Sequence, residues 1–256
     1  MIRLCSLGSG SSGNASFIGN GAAGLLLDAG FSGKELKARM AAAGIDAGQI
    51  AGIVLSHEHT DHCRGAGIMA RSLGVPLFVN ERTWGKVKHM AGKVADVVHV
   101  ANGAEIEIGG LGVTPFSIPH DAADPSAFVF TAGGTRLTFI TDTGYPTGLM
   151  AQKMKEADYL VLEANHDPDM LKAGPYPWEL KQRIASRTGH LSNEDCRSLL
   201  ADALHAKLQG VTFAHLSETN NNPDLVRLMG RQLLDGLRVP FEVATQSKPG
   251  PMICIE

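Results

Sequence analysis

The segment Ser56-His57-Glu58-His59-Thr60-Asp61-His62 places three imidazoles and two carboxylates directly after the apolar run Ile53-Val54-Leu55. Imidazole is neutral at pH 7 and is the commonest protein ligand for borderline divalent metals, and a carboxylate adds negative charge. On a loop leaving a strand, positions 57 and 59 can point one way while 61 and 62 point another. A purely structural role would bury four polar side chains without partners, which is costly. The chemistry on offer is divalent-metal binding. Placement just past an apolar stretch recurs at His120 after Leu111–Ile118, at Asp142 after Leu137–Thr141 and at His215 after Val211–Ala214. On residue type alone, His120 also suits a turn and Asp142 a helix cap.

The elements that must position these residues are short. Leu25–Leu27, Ile53–Leu55 and Leu77–Val79 are apolar runs too short for buried helices and read as strands. Val97–Val100, Ile106–Ile108, Leu111–Ile118, Ala127–Thr131 and Leu137–Thr141 lie close together with Asn-Gly and Gly-Gly punctuation, which predicts antiparallel hairpins. Strands are also expected at the amino terminus and at Tyr159–Leu162, Val211–Ala214, Phe241–Ala244 and Met252–Ile255. Helical spacing appears at Gly33–Ala43, Arg64–Leu73, Thr147–Glu156, Trp178–Arg187, Glu194–Leu208 and Asp224–Leu237. Ser192 with Asp195 matches a helix-capping pattern, and Pro223-Asp224 suits a helix start. Strands mixed with helices imply an α/β fold of two mixed sheets with helices on the outer faces. No Pro- or Ser-rich linker divides the chain, so residues 1–256 read as a single domain. Leu26-Leu27-Asp28-Ala29-Gly30 echoes Phe139-Ile140-Thr141-Asp142-Thr143-Gly144, as two related halves would, although strand–Asp–x–Gly turns are common.

With 256 residues, 44% hydrophobic and 19% charged, the chain can bury a sizeable core and is not a disordered one. No apolar run approaches the ~18–20 residues that span a bilayer, so no membrane partner is expected. The net charge of −3 argues against coating nucleic acid by bulk charge but leaves a local site open. Four cysteines without CxxC spacing suggest reduced thiols and a cytoplasmic location. Cys63, beside the cluster, reads as packing.

The cluster resembles the signature of the metallo-β-lactamase superfamily, an αββα sandwich with a dinuclear metal site. The resemblance implies that His57, His59 and His120 hold one ion, that Asp61, His62 and His215 hold the other, and that Asp142 bridges them. Phosphodiesterase members carry a further His before the last ligand, where this chain has Gly189-His190-Leu191-Ser192. The YycJ (WalJ) family is similar from end to end. The shared phrases are Gly8–Asn14, His120–Pro125, Glu163-Ala164-Asn165-His166-Asp167, Gly174–Trp178, Gly189–Asn193, and His215-Leu216-Ser217 with Asn220-Asn221. Glu218-Thr219 departs from the more basic residues common there, losing one phosphate contact.

What the family implies is a 5′ to 3′ DNA exonuclease using two divalent ions, zinc or manganese. A hydroxide bridging the ions would attack phosphorus, Asp61 would accept a proton, and His190 would protonate the leaving oxygen with Glu163 fixing its tautomer. The alternative is a hydrolase of the same fold acting on a cyclic phosphodiester, β-lactam, thioester or lactone. Ser9, Ser11, Ser12 and Asn14 on the glycine-rich turn, with Asn165, His166 and Ser192, are expected to contact substrate. Tyr176 and Trp178 among Lys172, Lys181, Arg183 and Arg187 suit strand stacking, but Trp178 packed beneath its own helix is the preferred expectation. The sequence admits a homodimer without calling for one.

Overall fold

The computed structural model describes residues 1–256. Its first sheet contains β1 (Ile2–Gly8), β2 (Ala15–Gly19), β3 (Gly24–Leu27), β4 (Ile50–Val54), β5 (Leu77–Val79) and β6 (Val97–His99). The second contains β7 (Ile106–Ile108), β8 (Leu111–Ser117), β9 (Ser126–Ala132), β10 (Thr135–Ile140), β11 (Tyr159–Glu163), β12 (Gly210–Ala214) and β13 (Phe241–Val243). The last strand, β14 (Ile253–Ile255), returns to pair antiparallel with β1, so each sheet has seven strands.

The two sheets share one pattern of strand pairing. In the first, β14-β1-β2-β3 run antiparallel and β4, β5 and β6 are then added in parallel. In the second, β7-β8-β9-β10 are antiparallel and β11, β12 and β13 follow in parallel. Asp28 after β3 and Asp142 after β10 therefore occupy equivalent places, and both have φ of 60°. The sequence echo reflects this structural equivalence.

Parallel additions need crossovers, and helices supply them on the outer faces. On the first sheet these are α1 (Gly33–Ala42), α2 (Thr60–Cys63), α3 (Ala66–Leu73) and α4 (Glu81–Ala91). On the second they are α5 (Gly148–Lys155), α6 (Pro168–Ala173), α7 (Trp178–Ile184), α8 (Asn193–Ala203) and α9 (Pro223–Leu234). Between the sheets, Leu4, Ile18, Leu25 and Leu27 meet Phe128, Phe130, Phe139 and Val161 in one buried cluster. Two other clusters lie beneath the helices, around Leu26, Leu36 and Met69 and around Leu162, Leu200 and Phe213. Central strands β3, β11 and β12 are buried along their whole length, as strands covered on both faces must be.

Several expectations change. Val97–Val100 does not join the hairpins: β6 pairs in parallel with β5, and the chain crosses to the second sheet at the Asn102-Gly103 turn. The helix expected over Arg64–Leu73 begins earlier, as α2, and restarts as α3 after Gly65. The one expected over Glu194–Leu208 ends at Ala203, where Leu204 turns extended. Strand β2 and helices α4 and α6 had no sequence-based counterpart. The Ser192 cap holds: its Oγ accepts the Asp195 N–H at 3.0 Å.

Close approach of two loops fixes the site's floor. Asn14 N–H donates to the Asp61 carbonyl (2.7 Å), Ala29 N–H to that of His62 (2.7 Å), and Gly30 N–H to that of Asn14 (2.8 Å). A Cβ on Gly30 would lie 1.6 Å from the Asp61 carbonyl oxygen, so only glycine fits. Gly30→Ala is expected to cost about 3 kcal/mol through overpacking. That corresponds to a drop of roughly 6–12 °C in thermal midpoint, readable by circular dichroism.

Candidate metal centre

Asp28, His57, Asp142, Glu163 and His215 all lie at or just past the carboxyl ends of strands that have a parallel neighbour, where open α/β sheets gather their functional groups. His59, Asp61 and His62 come from the β4–α2 loop and α2 itself, and His120 follows β8.

The imidazoles are held from outside so that one nitrogen of each faces inward. His57 Nδ1 lies 3.0 Å from Ser56 Oγ, whose hydroxyl donates to Asp28 Oδ2 at 2.8 Å. His62 Nδ1 donates to the same carboxylate at 2.8 Å. His120 Nδ1 donates to the Gly189 carbonyl at 3.0 Å, and His215 Nδ1 faces Glu163 Oε1 at 3.3 Å. These contacts assign the tautomers and leave four Nε2 atoms facing the centre. His59 enters with Nδ1, 3.2 Å from His120 Nε2.

Four overlapping groups result. Nitrogens of His57, His59 and His120 lie within 4.8 Å of one another, as do ligand atoms of Asp61, His62 and His215, of His57, His62 and Asp142, and of Asp142, Glu163, His190 and His215. Asp142, common to two of these groups, sends Oδ2 to 3.4 Å from His62 Nε2 and Oδ1 to 3.3 Å from His215 Nε2. His57 Nε2, Asp142 Oδ2 and His215 Nε2 are buried without a hydrogen-bond partner. Convergent orphaned lone pairs of N and O type are what a divalent cation satisfies, so the residues fit such an ion.

Backbone strain accompanies this placement. Asp28, Asp142 and His215 all adopt left-handed φ, at 60°, 60° and 57°. Non-glycine residues persist there only when their surroundings over-determine them. His215 is gripped on both sides: its N–H donates to Ser9 Oγ (2.8 Å), and its carbonyl accepts from Asn165 Nδ2 (2.9 Å).

Electrostatics point the same way. Burial alone would raise the carboxyl of Asp61, but His62 and His215 beside it hold it well below the usual carboxylate range. Asp142 is likewise lowered against its burial, chiefly by His215 and His62. Burial opposes charge on His215, yet Asp142, Asp61 and Glu163 push it up to about 10. Glu163, fully buried, is brought down to about 2 because His190 and His215 outweigh its desolvation. Burial keeps His57 and His120 neutral. The carboxylates of the site thus draw protons onto His62 and His215 while His57 and His120 stay neutral, and a bound cation would take the place of those protons.

His190 lies at one side of the cluster. Its Nδ1 donates to Glu163 Oε1 at 2.8 Å, and its ring stacks on His215 with centroids 5.2 Å apart and 14° between planes. Glu163 Oε2 accepts the Thr143 and Leu191 N–H groups, which fixes the carboxylate. A cleft of about 430 Å³ opens over the cluster and is lined by His59, Asp61, Asp142, His190 and His215.

The sequence pattern described as the Beta-lactamase superfamily domain matches residues 24–211. An exodeoxyribonuclease YycJ from Bacillus anthracis is 37% identical over 248 residues, covering 94% of each chain. This chain belongs to the YycJ/WalJ family of the β-lactamase superfamily. Exodeoxyribonuclease WalJ of Streptococcus pneumoniae is 36% identical over 245 residues, covering 93% of this chain and 91% of that one. Among solved structures, the metallo-β-lactamase fold protein YhfI of Bacillus subtilis superposes with a TM-score of 0.76 at 16% identity. It covers 97% of this chain and 98% of its own. With this membership the chain is a metal-dependent hydrolase of α/β class, and its His/Asp cluster has the donor set of a divalent-metal site.

Against this family frame, the expected substrate contacts divide. Ser11 and Asn165 border the cleft, with His59, Asp61, Asp142 and His215 of the ligand cluster. Ser9 does not: it is buried, with its hydroxyl on the His215 N–H. Asn14 is buried under the cluster, its amide 3.0 Å from His62 Nε2 and its Oδ1 accepting the Gly10 N–H. Ser12 donates its N–H to Gln246 Oε1, and Ser192 caps α8. The glycine-rich turn cannot cradle a phosphate as a whole, because the N–H groups of residues 9, 10, 12, 13 and 14 all donate within the protein. His166 borders a second groove beside the cleft. Cys63 packs as expected, buried, with its thiol donating to the Glu58 carbonyl. Trp178 does not pack under its helix; it is 65% exposed.

Two features at this site escaped sequence reasoning. Asp28 organises His57 through Ser56 and His62 directly, and only the internal echo marked it. Asp121, with Oδ1 3.5 Å from His120 Nε2, holds Arg183 at the mouth of the cleft at 2.5 Å. Its position directly after His120 was the available signal.

Proposed function

We propose that the chain is a dinuclear-metal phosphodiesterase that degrades DNA from the 5′ end, with zinc or manganese as the ions. The observation that carries this reading is His190, held by Glu163 at the edge of the metal cluster with its Nε2 left for substrate. The exodeoxyribonuclease names of relatives 36–37% identical support the same substrate class. His57, His59 and His120 would hold one ion and Asp61, His62 and His215 the other, with Asp142 between them. When bound, such a pair clamps a phosphate as a Lewis acid and lowers the pKa of a water towards ~7.

The chain's own groups supply the proton chemistry. Asp61 is anionic and directs Oδ2 to His62 and His215, which leaves its second oxygen to take a proton from the attacking water. As the new P–O bond forms, the bond to the leaving oxygen breaks, and His190 Nε2 delivers a proton to that oxygen. Glu163 is a positioning residue: it fixes the tautomer and stabilises the imidazolium before transfer. The interior shared by both sheets supports 1–256 as one domain. No helix is long and apolar enough to cross a membrane.

The test is digestion of duplex and single-stranded DNA, labelled at the 5′ end, with manganese or zinc. Early release of labelled mononucleotide is expected. DNA left intact while a cyclic phosphodiester or β-lactam is hydrolysed would overturn the nuclease reading.

A further inference from the structure

Helix α7 lies between two openings. Leu180, Arg183 and Ile184 border the catalytic cleft, while Trp178, Lys181 and Gln182 border a separate groove of about 480 Å³. None of the seven residues of α7 is buried, so the helix presents a largely uncovered surface at the edge of the site. The far wall of the groove carries Lys172 and His166. Asn165 borders the cleft and His166, the next residue, borders the groove, so the two openings adjoin.

Three features of this groove have no role in the chemistry above. Trp178 is 65% exposed, an unusual cost for the largest apolar side chain on a surface. His166 is only 3% exposed, yet its Nδ1 has no hydrogen-bond partner. Lys172 and Lys181 stand side by side, the ammonium of Lys181 donating to the Lys172 carbonyl at 2.8 Å. Residues 168–187 contain four basic side chains (Lys172, Lys181, Arg183, Arg187) against two acidic ones (Asp169, Glu179), in a chain whose net charge is −3.

We infer that this groove is a nucleotide subsite, in which Trp178 stacks on a base and Lys172 and Lys181 hold the phosphate of the nucleotide adjoining the scissile bond. It rests on the phosphodiesterase reading and extends it. Exposed aromatics interleaved with cations are how proteins grip single strands without reading sequence. The ring accepts any base, the ammonium groups answer the backbone charge, and His166 offers a polar contact to the bound nucleotide. A strand leaving the cleft need only cross one helix, about 10 Å wide, to reach the groove.

The experiment has two arms. The chain has two tryptophans, Trp84 and Trp178, and Trp84 packs against the core on the other half. Titrating metal-loaded His190→Ala protein with oligothymidylate should quench tryptophan emission, and Trp178→Ala in that background should abolish the quenching. In the active protein, kcat/KM is measured on single-stranded oligothymidylate and on thymidine 5′-p-nitrophenyl phosphate. Trp178→Ala should lower the ratio of the two by roughly 5–150-fold, mainly through KM. Lys181→Ala should flatten the log–log salt dependence for the oligonucleotide by about 0.7. DNA turnover without quenching, with the wild-type ratio in Trp178→Ala and the wild-type salt dependence in Lys181→Ala, overturns the subsite and leaves the nuclease reading standing. Quenching without DNA turnover by the active protein does the reverse. Neither quenching nor turnover overturns both.

Discussion

His190→Ala is expected to slow DNA turnover by ~10²–10⁴-fold while the purified protein keeps its full metal content. The basis is the direction of the ring. Nδ1 is committed to Glu163 at 2.8 Å, and Glu163 is in turn fixed by the Thr143 and Leu191 N–H groups. The remaining nitrogen is the one available to a leaving oxygen. Gly189 makes the placement possible: a Cβ there would lie 2.1 Å from the Ile184 carbonyl oxygen, so the turn can pack onto the end of α7 only without a side chain. Glu163→Gln keeps the shape but removes the charge that stabilises the imidazolium, and a loss of ~10–100-fold is expected. Metal analysis beside the kinetics separates roles. His190 Nδ1 is 3.7 Å from Asp142 Oδ1, near enough that a ligand role is a real competitor. An alanine variant purified with one ion fewer would assign His190 to the metal site instead.

The convergence of the candidate cluster was legible in part because four of its members are adjacent in sequence and chemically distinctive. His57, His59, Asp61 and His62 sit within six residues at the β4–α2 junction, whereas His120, Asp142 and His215, each just past an apolar strand, were picked out by the family resemblance. Asp28 was not legible as a member, because its role depends on β3 pairing with β4, which brings Ser56 N–H to 2.8 Å from its Oδ1. Local sequence carries no sign of that pairing beyond the echo with Asp142. The turn at Gly8–Asn14 was ambiguous in sequence, between a backbone phosphate cradle and a hairpin tip, for a related reason. Its glycines and serines suggest free backbone donors, but Gln246, distant in sequence, accepts the Ser12 N–H and donates to the Gly13 carbonyl. Helix α4 was missed because its buried face, Thr83, Val87 and Ala91, carries little apolar signal. Trp178 was misplaced because helical spacing gives the period of a face but not whether another element covers it.

Chelation should abolish activity and also destabilise the fold, and Asp142→Ala should reproduce much of both effects. Three ligand atoms await a cation: His57 Nε2, Asp142 Oδ2 and His215 Nε2 are buried without a hydrogen-bond partner. A ligand present at 100 times its dissociation constant and bound only by the folded state stabilises by about 2.7 kcal/mol per site. For a chain of this size, loss of one such site lowers the thermal midpoint by roughly 5–10 °C. Asp142 is the carboxylate shared between the halves, 3.3–3.4 Å from His215 Nε2 and His62 Nε2. Alanine there removes negative charge from among imidazoles packed as close as 4.2 Å between ring centroids. Residual affinity should then rest on the His57, His59 and His120 group, giving a protein that holds one ion and no longer turns over substrate. Calorimetric titration of the chelated protein with zinc and with manganese counts the sites and ranks the metals. A wild-type midpoint unmoved by chelation, or an Asp142→Ala protein that still binds two equivalents, would remove Asp142 from between the ions.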